Sequence, residues 1–390
     1  MVPFTRSDRR LENLHSKIDT FKSPEPSPLQ SLQLGTWFKL ICGASYQDLP
    51  AVRNLALAYT LAGADCIDVA ADLAVVAAAK EGIAAAAKIA GERSRPYQRP
   101  WLMVSVSAGE DPHFRKAWFD PAVCPKDCPR PCEKICPADA IDHAGVMSDR
   151  CYGCGRCLPI CPWNLIEAKA YPTTLDNIAR KVLSQADAIE IHTQVGQIEA
   201  FKQLWQRVQP WSAHLKLVSI SCPDAEGLIN YLKDLRRVIA SHPSTEVSSK
   251  KAFNVIWQTD GRPMSGDIGK GTTRAAIRLA QKVLASDLAG YVQLAGGTNQ
   301  HTAPKLQALG LLHTSLNNCP ASQKNRQTGD RTVSGVAYGS YARHLLMPVI
   351  EQTLYLEEVS SPLWKAVAIA ESLVKPLKQL SRMEHGDQRY

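Results

Sequence analysis

Residues 37–71 read WFKLICGASYQDLPAVRNLALAYTLAGADCIDVAA, and their order decides the fold. WFKLICGA is a short apolar run ending in glycine, as expected of a buried strand. Asp48 is placed to cap a helix that begins LPAVRNLALAYTLAGA. Pro50 stands in its first turn, where no amide hydrogen is needed, and Gly63 at its end. CIDVAA, 66–71, is a second strand. A strand, a helix of several turns and another strand make a βαβ unit, which places the strands parallel.

The same rhythm runs outward from this unit. Asp72 opens an alanine-rich helix running to about Gly91, and WLMVSVSAG, 101–109, is a third strand. After an interruption come AIEIHT (188–193), LKLVSIS (215–221), FNVIWQTDG (253–261), GYVQLAGG (290–297) and VSGVAYGSYAR (333–343) as further strands. The helices between them are TLDNIARKVLSQ, QIEAFKQLWQRVQ, LINYLKDLRRVIA, TTRAAIRLAQKVLAS and APKLQALGL, and WKAVAIAESLVKPL closes the series. Eight such alternations predict a TIM-like (β/α)8 barrel of the α/β class, with a module inserted after the third strand. The alternative is an open doubly wound sheet, or two α/β halves flanking the module. Domain limits follow: 1–31 a disordered tail in which Pro24, Pro26 and Pro28 prevent regular structure, 32–110 the first part of the barrel, 111–165 the insertion, 166–378 the remainder, and 379–390 a frayed end.

The insertion holds eight of the twelve cysteines, in two groups of four that each end in Cys-Pro. Cys151, Cys154, Cys157 and Cys161 have the C-x2-C-x2-C-x3-C-P spacing of bacterial ferredoxins. Short spacers turn three thiolates into one tight loop around a cubane, while the fourth cysteine points to the neighbouring cluster. Cys124, Cys128, Cys132 and Cys136 depart from that pattern with three-residue spacers throughout. Two [4Fe-4S] clusters are expected, with crossed ligands: Cys124, Cys128, Cys132 and Cys161 for the first, Cys136, Cys151, Cys154 and Cys157 for the second. A single cluster, zinc and disulfides are the alternatives. Zinc sites use C-x2–4-C pairs without the trailing Cys-Pro, and disulfides need an oxidising compartment. Cys42, Cys66, Cys222 and Cys319 lie far apart and read as buried thiols.

A net charge of +8 is scattered over isolated pairs such as Arg9-Arg10 and Lys250-Lys251, with no basic run interleaved with aromatics, so nucleic-acid binding is not expected. No run of eighteen apolar residues spans a membrane, and the first thirty residues lack the apolar core of a secretory signal. A cytoplasmic location is expected.

In barrels, the loops after strands 7 and 8 often grip phosphate through backbone amides. Here those loops carry Gly296, Gly297 and Thr298, then Gly339 and Ser340, and a phosphate or FMN is the ligand they suit. The competing reading is that these glycines only turn the chain. GRPMSGDIGKGTT, 261–273, fails the Walker A spacing, because Met264 and Gly271 stand where glycine and a hydroxyl residue are required. It reads as a loop whose Asp260, Arg262, Asp267 and Lys270 face either a ligand or solvent, with Thr272 or Thr273 capping the next helix. Lys39, Asp68, Asp72, Glu190, His192, Gln258 and Asp260 lie near strand ends, where a barrel enzyme draws its acids and bases. Lys39 and Glu190 sit in apolar strands, so they must pair, bind a ligand or face outward. No catalytic constellation is complete enough to name, and the catalytic residues stay unknown.

The stretch GTWFKLICGASYQDLPAVRNLALAYTLAGADCIDVAAD, the unequal cysteine groups, and QLAGGTNQHTAPKLQALGL with GVAYGSYAR together resemble the cyanobacterial light-dependent period (LdpA) family. The resemblance covers about residues 33–345. It implies a redox-responsive iron–sulfur protein that tunes circadian clock input to light and metabolism, with clock-associated regulatory proteins or redox carriers as partners. Only the eight cysteines carry over as functional residues, and the unusual first group suits a labile sensing cluster. A redox sensor or electron-transfer protein is therefore expected. The alternatives are a flavin-dependent barrel oxidoreductase fed by the two clusters, and a scaffold that the clusters merely brace.

Overall fold

The computed structural model describes residues 25–109, 111, 114–136, 138–170, 179–211, 214–241, 253–262, 269, 271–312, 332–351 and 353–378. The expected tail over 1–24, the first part of the 174–185 helix, Asp267, Lys270, Cys319 and the end at 379–390 lie outside them.

From the N-terminus, α1 (Pro28–Leu34) precedes β1 (Trp37–Gly43), α2 (Leu49–Leu61), β2 (Cys66–Ala70), α3 (Leu73–Glu92) and β3 (Trp101–Ser107). The chain then leaves through β4 (Arg115–Trp118), α4 (Pro131–Ile135), β5 (Ile141–Asp142), β6 (Gly145–Val146), α5 (Cys157–Ile160) and β7 (Glu167–Ala170). It returns as β8 (Ala188–His192), α6 (Ile198–Val208), β9 (Leu217–Pro223), α7 (Leu228–Ala240), β10 (Asn254–Asp260), α8 (Thr273–Leu284), β11 (Tyr291–Ala295) and α9 (Thr302–Ala308). Last come β12 (Gly335–Tyr338), α10 (Ser340–Ile350) and α11 (Ser360–Lys378).

Eight parallel strands close in the order β1-β2-β3-β8-β9-β10-β11-β12, with Trp37 of β1 in register with Gly335 of β12. The fold is the (β/α)8 barrel, and the open sheet is set aside. Side chains alternate along each strand, so Phe38 and Leu40 point outward into the helix layer while Trp37 and Lys39 point inward. Phe38 stacks between Tyr59 of α2 and Tyr338 of β12, with ring centroids 5.8 and 5.1 Å away. At the foot of the barrel, Trp37, Cys66, Trp101, Met103, Ala188, Leu217 and Ile256 form a separate apolar layer, which Leu32 of α1 seals.

That seal corrects the N-terminal boundary. Ser27 and Gln30 form a reciprocal cap that starts α1 inside the stretch read as tail. The closing strand is also shorter than expected. Chain pairing ends at Tyr338, and Ser340 through Arg343 open α10 instead. The module outruns residue 165, because β7 pairs antiparallel with β4. Only one wide helical turn, Ala179–Leu183, stands in the described part of the 174–185 stretch. Asp48 and Asp72 cap α2 and α3 as expected, but the Thr272 hydroxyl does not cap α8; it donates to the carbonyls of Gly269 and Gly297.

Candidate iron–sulfur centre and barrel interior

The module is built as two matching halves. α4 and α5 pack together, and each half has a residue in the left-handed region two positions before a cysteine: Arg130 (φ 50°) before Cys132, Gly155 (φ 72°) before Cys157. Glycine takes that conformation freely, whereas arginine pays about 1–2 kcal/mol for it. Beyond each Cys-Pro, Asp139 (φ 44°) and Asn164 (φ 50°) turn the chain back in the same way. As a result the Ala140 amide donates to Cys136 Sγ at 3.3 Å and the Leu165 amide to Cys161 Sγ at 3.4 Å. The Ala117 amide of β4 likewise donates to Cys151 Sγ at 3.4 Å. Amides aimed at sulfur favour thiolates and are a recognised means of setting cluster potential.

Cys136, Cys151, Cys154 and Cys157 line one cavity together with Ala117, Ile141 and Tyr152. Burial, then the neighbouring thiols Cys154, Cys151 and Cys136, push the Cys157 thiol up to about 12. In the other half, burial followed by Cys128 raises Cys124, which also senses Cys161; burial raises Cys132, which senses Cys161 as well. Cys136 of one half thus lies beside Cys151, Cys154 and Cys157 of the other. Sulfur-only donors, inward amides and a pocket rimmed by left-handed glycines at 153 and 155 fit an iron–sulfur cluster. Metal bound by these thiols would displace their protons. Cys42, Cys66 and Cys222 are buried free thiols in β1, β2 and β9.

The barrel interior above the apolar foot is polar. Lys39 reaches Asp68 Oδ2 at 3.1 Å and pairs also with Glu190. Ser105 donates to Asp68 at 2.8 Å, and Ser219 and Gln258 donate to Glu190 at 2.9 and 2.7 Å. Gln293 continues the chain to Gln258 at 2.6 Å, and the Trp37 indole donates to Gln293 at 2.6 Å. Towards the mouth, His192 Nε2 lies 3.1 Å from Glu190 and its Nδ1 3.8 Å from Asp111, while Ser221 donates to Asp260. Phe114, on the segment entering the module, meets the His192 ring edge-on at 5.4 Å.

These contacts set the charges. Burial pulls Lys39 down, but Asp68 and Glu190 more than offset it and hold the ammonium well above its usual range. Burial likewise opposes the charge on His192, yet Glu190, Asp111 and Asp260 raise it to about 9. Glu190 is held far below the ordinary carboxylate range against its own burial, by Lys39 and His192. Burial pushes Asp68 up to about 6, the second carboxylate competing for one lysine.

Of the polar residues expected at strand ends, Lys39, Asp68, Glu190, His192, Gln258 and Asp260 converge here. Asp72 instead caps α3, and Arg262, in the loop after β10, is exposed. Ser105, Ser219, Ser221 and Gln293 also face inward, and only their spacing in WLMVSVS, LVSIS and YVQLA, each two residues from another inward position, signals it. The candidate phosphate residues are largely engaged by the protein. A side chain at Gly296 would meet the Arg262 amide at 2.9 Å, and one at Gly297 the Thr272 carbonyl at 2.8 Å. Thr298 donates to the Ala337 carbonyl at 2.6 Å, and Gly339 packs near Ile41. Ser340, at the start of α10, accepts from Arg343 at 3.2 Å. No helix among the described residues is long and apolar enough to cross a membrane.

Comparison with known proteins places this arrangement. A family model for the LdpA Fe-S cluster-binding domain matches residues 124–172, and one for the light dependent period A C-terminal domain matches residues 182–376. Light dependent period A from Synechococcus elongatus is 53% identical over 357 residues, which cover 90% of this chain and 94% of that protein. An uncharacterized ferredoxin from Methanocaldococcus jannaschii is 40% identical over 65 residues, 15% of this chain and 39% of its own. Among solved structures, tryptophan synthase from Mycobacterium tuberculosis aligns over 90% of this chain and 96% of its own with a TM-score of 0.41 and 13% identity, too slight a likeness to bear on function. The iron–sulfur model falls on the eight-cysteine module and the C-terminal model on the barrel from just before β8, and this chain belongs to the light dependent period A family.

Proposed function

We propose that this protein is a redox sensor or electron-transfer protein that relays cellular redox or light state to the circadian clock input. It carries two [4Fe-4S] clusters, one on Cys124, Cys128, Cys132 and Cys161 and the other on Cys136, Cys151, Cys154 and Cys157. Its partners are clock-associated regulatory proteins or redox carriers, and its place is the cytoplasm. The carrying observation is the cavity that joins Cys136 to Cys151, Cys154 and Cys157 across the two halves of the module. Clusters held by these cysteines would supply one-electron exchange with a carrier.

A second reading is a barrel oxidoreductase in which the clusters feed FMN held by Gly296, Gly297, Thr298, Gly339 and Ser340. The charged set around Glu190 and His192 inside the barrel supports it, as such groups at strand ends serve acid–base chemistry. Against it, Thr298 and the Gly297 carbonyl already have protein partners.

Iron, sulfide and acid-released flavin measured on anaerobically purified protein decide between the two. About eight irons per chain without flavin is the result expected of two cubanes. Stoichiometric flavin would overturn the sensor in favour of the enzyme, and about four irons would remove one of the two clusters.

A further inference from the structure

Arg343 stands in the first turn of α10, above the end of β1, and is 6% exposed. Its Nη1 donates to the carbonyls of Cys42 at 2.7 Å and Ile41 at 3.1 Å, and Nη2 to Ser340 at 3.2 Å. Its Nε is buried with no partner among the described residues. No Asp or Glu among the described residues pairs with it; its remaining neighbours are aromatic. The guanidinium lies 4.1 Å from the Tyr152 ring centroid and 5.9 Å from that of Tyr46, and the two rings meet edge-on at 6.1 Å.

The close fit is enforced by the backbone. Gly43 holds φ +127°, and a Cβ there would stand 3.2 Å from Arg343 Nη1 and 3.1 Å from Tyr46 Cβ. A buried cation surrounded by backbone carbonyls, the Ser340 hydroxyl and tyrosine rings lacks a counter-charge. Tyr152, a residue of the module, packs against Arg343 and also lines the cavity of Cys136, Cys151, Cys154 and Cys157. A cubane held there by four thiolates is a net anion, and each electron it accepts makes it more so.

Resting on the two-cluster reading, we propose that Arg343 is the barrel's counter-cation to the cluster on Cys136, Cys151, Cys154 and Cys157, raising its reduction potential and holding the module more firmly to the end of β1 when that cluster is reduced. Arg343 is a positioning residue, acting through space and through the Tyr152 ring. Because the low-dielectric interior strengthens the interaction, the effect belongs to this cluster and not to the one on Cys124, Cys128, Cys132 and Cys161. The contact links cluster charge to β1 and α10, which also carry Lys39 and Ser340.

The test is an EPR-monitored dithionite titration of both clusters in the wild type, Arg343→Gln and Arg343→Lys. Arg343→Gln is expected to lower the midpoint of the second cluster so that its reduced fraction falls at least tenfold at a fixed potential, which is about 59 mV for one electron, leaving the first cluster unmoved. Arg343→Lys, which keeps the charge, stays within about threefold of the wild type. Unchanged potentials in a fully loaded Arg343→Gln protein overturn the proposal, as does an equal drop in both variants, which would mark a packing role. Should Arg343→Gln fail to load, hydrogen exchange of residues 41–46 and 340–347 in oxidised and reduced wild type decides: slower exchange on reduction is expected, and identical exchange overturns it. Loss of the two-cluster reading itself would show earlier, as missing iron in the wild type.

Discussion

Lys39 of β1 and Glu190 of β8 form an ion pair in the middle of the barrel, where neither side chain is more than 1% exposed. A pair so placed is held by everything around it, here Asp68, Ser219, Gln258 and His192. Removing one partner leaves an uncompensated charge in a dry interior. Lys39→Met is expected to cost about 3–5 kcal/mol of unfolding free energy, measured by urea denaturation. The double variant Lys39→Met/Glu190→Gln should lose less than the sum of its parts. Strict additivity would show that the two residues do not act as a pair.

His192 gives the barrel a pH dependence on the alkaline side. Its folded pKa is raised to about 9, above the unfolded value of about 6.5, so the fold favours the protonated ring. That stabilisation is complete below about pH 6.5 and is lost as the pH rises through about 9. Denaturation midpoints between these limits should fall with pH in the wild type and flatten in His192→Gln. An equal slope in both would assign the dependence to another group.

Single cysteine exchanges test the crossing of the halves. Cys161→Ser should abolish the EPR signal of the cluster on Cys124, Cys128 and Cys132 and spare the other. Cys136→Ser should do the reverse, and each variant should retain about four irons. The opposite pattern would mean that every group of four serves its own cluster.

Gly82 in α3 faces α2 so closely that a Cβ would stand 2.2 Å from the Arg53 carbonyl oxygen. In an isolated helix, alanine would be better than glycine by about 1 kcal/mol. Here the helices would have to separate, so Gly82→Ala is expected to destabilise by about 1–3 kcal/mol. A thermal melt at or above the wild-type midpoint would show that the α2–α3 contact yields easily.

The alternation of short apolar runs with capped helices made the barrel legible, since burial of a parallel sheet on both faces requires it. Asp48 and Asp72 act as the caps their positions suggested. The module was legible from cysteine spacing, because ligand geometry constrains sequence locally. Tertiary packing overruled local signals elsewhere. GSYAR has the look of strand continuation, yet β12 ends at Tyr338 because the Gly339 backbone starts α10. The proline-rich approach to residue 31 looked unstructured, but Leu32 finds an apolar layer to seal.

The chain by itself determined what short-range chemistry can specify: eight strands with helices between them, and eight thiols in two groups of four, the second with ferredoxin spacing. It did not determine which face of each strand turns inward. Lys39, Glu190, Gln258 and Gln293 satisfy one another only when the barrel closes and brings β1, β8, β10 and β11 around one axis. Nor did it bring Tyr152 of the module against Arg343 of α10, nearly two hundred positions away, a contact made by the folded-back module on the barrel's carboxyl end. Charges buried in pairs are compensated across strands rather than along them, so only the closed structure could decide them.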